Sequence, residues 1–120
     1  MVERNHLVSQ IRAVANAPYA DPFEPRVSQA SEDRLIQVVS DIPEPLLSAA
    51  RPFRDFGVMG LQWETQGQDF IVLFSGPTYE GISVHIVGKY RWHGYLRNGE
   101  DLPAVFLEAL TWISRRARSN

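Results

Sequence analysis

The chain of 120 residues has the length of one domain and can bury a hydrophobic core without metal or disulfide staples. A hydrophobic share of 44%, a charged share of 22% and a net charge of −2 fit a globular domain and argue against a nucleic-acid coat protein, whose binding depends on neutralising phosphates. The absence of cysteine excludes disulfides, cysteine-ligated zinc, iron–sulfur centres and thiol nucleophiles.

At the N-terminus, Leu7, Ile11, Val14 and Ala15 recur at helical spacing and predict a helix from about Glu3 to Ala17. Charges at Glu3, Arg4 and Arg12 interrupt any apolar leader, so no secretory signal is expected. No stretch approaches the ~18 consecutive apolar residues of a membrane span. The expectation is a cytoplasmic protein without a membrane partner. Pro18, Pro22 and Pro25 then force an extended connector. Ser28 or Ser31 caps a second helix through about Val39, with Leu35, Ile36, Val38 and Val39 as its buried side. The segment IPEP predicts a short third helix from Pro43 to Arg51, ended by Pro52, so that residues 1–57 read as the helical part of a single domain.

From Val58 the apolar period changes from 3.6 to 2. VMGLQWETQGQDFIVLFSG reads as two strands with a two-residue turn at Gln66 and Gly67. That turn pairs Trp63 with Phe70, Leu61 with Val72 and Met59 with Phe74 on one apolar face, while setting Glu64 against Asp69. After GPTYEG, Ile82, Val84 and Ile86 alternate with Ser83, His85 and Val87. The stretch KYRWHGYLRNG supplies the last strand: Trp92 and Leu96 match the apolar side, His93 falls opposite or near His85, and Arg91, His93, Tyr95 and Arg97 face the other way. Leu102, Val105, Phe106, Ala109, Leu110 and Ile113 then fall on one helical stripe, predicting a helix over 101–117. The trailing Arg115, Arg116 and Arg118 suit the negative end of its dipole. These elements predict an α+β domain with a four-stranded antiparallel meander over 58–97 and the final helix packed across one sheet face.

In this register Ile71 and Leu73 point to the second face, together with His85, Arg91, His93, Tyr95 and Arg97. Two buried side chains of that kind are worth roughly 1.5 to 3 kcal/mol each, so a cover is expected. The N-terminal helices, a second copy of the chain and a different protein are the three candidates. An apolar centre bordered by aromatics and arginines has the composition of a protein interface.

Catalytic signatures are missing: there is no GxGxxG, Walker loop, HExxH or GxSxG. His85 and His93 form the only metal-like pair, but zinc requires a third protein ligand, and Glu64 lies two strands away in the meander. The reading assigns no metal, no cofactor and no catalytic residue. For general acid–base chemistry His93 would need Glu64 or Glu80, and nothing in their spacing enforces a shared pocket. Base stacking on Trp92 and Tyr95 beside Arg91 and Arg97 is disfavoured because Trp92 faces the core and Tyr95 does not.

A Pro-containing helical half, a hairpin beginning GLQWET (Gly60 to Thr65) and a closing helix with LEALTWI (Leu107 to Ile113) resemble small uncharacterised bacterial and phage proteins. Some of those are encoded beside toxin–antitoxin or other mobile-element genes. The resemblance implies a protein-binding role, as in an antitoxin, immunity protein or accessory subunit, and carries over no catalytic residue. Residues 71, 73, 85, 91, 93, 95 and 97 are the expected partner-binding set, for another protein or a second copy. The competing expectation is a small enzyme or ligand-binding protein, its pocket between the N-terminal helices and the sheet lined by Tyr79, His85, His93 and Tyr95.

Overall fold

Leu7, Ile11 and Ala15 form the buried stripe of helix α1, Val2–Asn16. The computed structural model describes residues 2–65, 68–76, 81–97 and 100–119. Helix α2, Gln29–Asp41, starts at Ser28, whose Oγ accepts the Ser31 amide at 3.1 Å. Leu35 and Val39 are buried, whereas Ile36 and Val38 are half-buried. Glu32 is buried in the first turn of α2, where the helix dipole favours a carboxylate, and accepts from Arg12 of α1 at 3.1 Å.

The predicted third helix from Pro43 to Arg51 is reduced to one 3₁₀ turn, Glu44–Leu46. Pro52 biases Arg51 toward extended angles, and the chain enters a strand there instead of merely ending a helix. The strands are β1, Arg51–Asp55; β2, Val58–Glu64; β3, Phe70–Ser75; β4, Gly81–Val87; and β5, Trp92–Arg97. They form one antiparallel sheet in the order β1-β2-β3-β4-β5. The fold is therefore α+β with five strands, one more than expected, and the extra strand falls within the span read as helical. A two-residue turn, Phe56 and Gly57, creates it by joining Asp55 to its partner Val58. Both turn residues have positive φ, 45° and 84°, which twists the hairpin in the favoured sense. Phe56 holds a conformation costly for a bulky side chain, and it does so while 61% exposed.

The β2–β3 register differs from expectation by one residue. Glu64 pairs with Phe70, Trp63 with Ile71, Leu61 with Leu73 and Met59 with Ser75. The connection is longer than two residues, with the Thr65 amide bonded to the Asp69 carbonyl at 3.1 Å; Gln66 and Gly67 themselves lie outside the described residues. A one-residue slip exchanges the two faces of a strand. It also separates Glu64 from Asp69, whose carboxylate is used elsewhere: it accepts the Lys89 amide at 2.8 Å in the β4–β5 turn. Gly88, at φ 120°, makes that approach feasible, because a Cβ there would lie 2.2 Å from Asp69 Oδ1.

Helix α3, Ala104–Ser119, completes the chain, burying Phe106, Ala109, Leu110 and Ile113. All three helices lie on one face. α1 packs on β1, α2 on β2 to β4, and α3 on β2 and β3. The core beneath them holds Met59, Leu61, Trp63, Ile71, Leu73, Ile82, Val84 and Ile86, none more than 3% exposed. Trp63 fixes α3 and the 3₁₀ turn together: its ring meets Phe106 edge to face at 6.5 Å and its Nε1 donates to the Leu46 carbonyl at 2.8 Å. Ser75, the one polar residue of β3 on this face, donates to the Ser31 carbonyl at 2.7 Å. At the β1 end, Arg54 serves as a C-terminal cap for α1. It donates to the carbonyls of Val14, Ala17 and Pro18 at 2.9, 2.7 and 2.8 Å, lies 3.8 Å over the Tyr19 ring and meets Glu24 at 3.7 Å.

Candidate functional site

Since the helices share one side, the other side of the sheet is without a layer among the described residues. Cross-strand pairing arranges its side chains in rows. One row runs Phe53, Gly60, Phe74, Ser83, Tyr95, and the next runs Arg51, Gln62, Val72, His85, His93. A third, shorter row is Glu64, Phe70, Val87.

The first row depends on a missing side chain. A Cβ at Gly60 would stand 2.2 Å from the Phe53 ring, so glycine is what lets that ring lie across β2 and reach Phe74. The two phenyl rings meet edge to face at 5.7 Å. Phe74 continues the contact to His85, again edge to face at 5.7 Å, and His85 stacks on His93 at 6.4 Å with the rings 14° from parallel. Ser83 Oγ lies 3.1 Å from His85 Nε2. Four aromatic rings thus form a continuous band from β1 to β5. Tyr95 stands beyond it at 57% exposure, and Phe70 and Val87 are each 37% exposed.

His85, His93, Tyr95 and Arg97 share the open face as expected, with His85 directly opposite His93. Arg91 is exposed immediately before β5. Ile71 and Leu73 do not belong with them: both are fully buried beneath the helices, which removes them from the predicted binding set. The register slip puts Phe70, Val72 and Phe74 there instead. Phe53 and Arg51 join from a strand that the helical reading concealed. Gly57, the usual residue for a tight turn, was the local signal for that strand.

The N-terminal helices do not cover this face, and the pocket expected between them and the sheet is not formed by the predicted residues. His85, His93 and Tyr95 lie on the opposite side, while Tyr79 and Glu80 fall outside the described residues. A cavity between α2 and the sheet, lined by Arg34, Val38, Ile82 and Leu96, has a volume of about 20 Å³, the space of a single water. A larger and more open depression of about 570 Å³ lies at the β4–β5 end, bordered by His85, Val87, Arg91, Trp92 and His93.

No group of three His, Asp or Glu residues suited to a metal occurs among the described residues. Glu64 sits on β2, three strand spacings or roughly 14 Å from the strand of His93, too far for a shared proton. Trp92 faces the helix side, its ring folded across Gly94, where a Cβ would come within 2.9 Å of it. It therefore does not join Tyr95 as a stacking platform. Among the described residues no helix is long and apolar enough to cross a membrane.

No family model, curated protein or solved structure matches the chain.

Proposed function

We propose that this chain is a non-enzymatic protein-binding domain that engages its partner with the helix-free face of the sheet, in the manner of an antitoxin, immunity protein or accessory subunit. One observation carries the reading. Phe53, Phe74, Val72, Phe70, Val87 and Tyr95 form an apolar and aromatic surface on one side of a sheet whose other side already supplies the complete core. Exposed apolar and aromatic side chains gathered on one face mark interaction sites. This surface's border of Arg51, Arg91 and Arg97, with the two histidines within it, matches the aromatic and arginine enrichment of protein interfaces.

The test uses the tagged full-length chain in its native host, with nuclease treatment, and compares wild type with Tyr95→Asp and Phe23→Asp. Phe23 is the control, being 88% exposed in the connector between α1 and α2. A stoichiometric protein should be recovered with wild type and Phe23→Asp and reduced at least about thirtyfold with Tyr95→Asp, the loss expected for an interface hot spot. Equal recovery with all three would remove the open face as the binding surface.

A further inference from the structure

A sheet of five strands in linear order has two edges, and here they are not equivalent. β1 contains Pro52, which has no N–H to offer an incoming strand, and Arg54 of the same strand is bonded to the end of α1. β5 carries neither guard. It has no proline, its pairing with β4 is continuous from Ile86–Trp92 to Gly81–Arg97, and among the described residues β4 is its only neighbour in the sheet. Its outward backbone donors and acceptors therefore form a template for another strand.

Charge selects the occupant. Arg97 closes β5 and Arg91 precedes it by one residue; both are exposed, and neither is ion-paired among the described residues. An antiparallel pairing of two copies centred on Gly94 would set Arg91 against Arg97 at both ends. Like charges directly opposite one another are destabilising, which disfavours a second copy. We propose that the β5 edge receives an extended acidic segment of the partner protein as a sixth antiparallel strand, with carboxylates opposite Arg91 and Arg97. Main-chain bonding would supply the alignment, and the depression of about 570 Å³ beside Trp92 and Arg91 would seat one of the incoming side chains. This deepens the protein-binding reading, on which it rests, by naming the chemistry of the partner.

The probe is a capped peptide, Glu-Val-Thr-Val-Thr-Val-Glu, titrated into the isotope-labelled full-length chain and followed by backbone amide signals. The same peptide with lysine at both ends is the comparison. The acidic peptide should shift the amides of β5 and bind about tenfold more tightly than the basic one, with the preference reversed in a variant carrying Arg91→Glu and Arg97→Glu. Equal affinity for the two peptides, shifts confined to β2 and β3, or no binding of either would overturn the proposal. So would concentration-dependent changes at β5 without peptide, which would identify a second copy as the occupant. If the peptide fails while Tyr95→Asp still releases a captured protein, only the edge assignment falls; if both fail, the binding reading falls with it.

Discussion

Replacing Leu73 with alanine should destabilise the protein by about 2–5 kcal/mol, whereas Val72→Ala, one residue away, should cost about 1 kcal/mol. Leu73 is fully buried opposite Leu61 and Val84, beneath the helices, and its truncation leaves a cavity that close-packed neighbours cannot fill. Val72 lies on the open face, between Gln62 and His85, with part of its surface already in water. The two variants therefore report the register of β3 directly. Urea unfolding of both, read as midpoint shifts at unchanged slope, should show the larger loss for Leu73. If Val72 proved the costlier, β3 would be turned the other way and the open face would be occupied by Ile71 and Leu73.

The second large effect is expected at Arg54. Arg54→Met should cost about 3 kcal/mol or more, because the guanidinium donates to three carbonyls at the end of α1 while stacking on Tyr19 and pairing with Glu24. Methionine retains the hydrophobic stem but leaves those acceptors unsatisfied. Arg54→Lys should recover only part of the loss, since a single ammonium lacks the planar fork that spans the three oxygens. Denaturant titration of the pair separates the two terms. A loss under about 1 kcal/mol in Arg54→Met would mean that water replaces the cap and that the contact of α1 with β1 rests on apolar packing alone.

The elements legible in the sequence were those in which a single period dominates. α1, α2 and α3 followed from stripes such as Phe106, Ala109, Leu110 and Ile113, and β4 and β5 followed from Ile82, Val84 and Ile86 set against His85. β1 was concealed because Pro52 resembles the end of a helix as readily as a residue in an edge strand, and the strand, Arg51–Asp55, is only five residues long. The β3 register was concealed for a different reason. Phe70, Val72 and Phe74 are as apolar as Ile71 and Leu73, so alternation could not choose a face. The choice was made by tertiary partners: Ser31 for Ser75, Lys89 and Gly88 for Asp69, and Phe53 for Phe74.

The same ambiguity has a structural consequence. With the helices covering one face, a strand apolar on both sides leaves Phe70, Val72 and Phe74 on the face opposite them. The histidines and Tyr95 were correctly grouped from the sequence because β4 and β5 have polar and apolar sides that alternate cleanly. The aromatic band that joins them to β1 required the fold, since it crosses β2 at a glycine.

The most direct test is side-chain oxidative footprinting of the purified chain with and without its captured partner. The open-face reading predicts that Phe70 and Tyr95 become protected while Phe23 and Phe56, exposed at 88% and 61%, keep their reactivity. Protection of Phe23 and Phe56 with Phe70 and Tyr95 unchanged would contradict it and move the interface to the loops beside the β1–β2 turn.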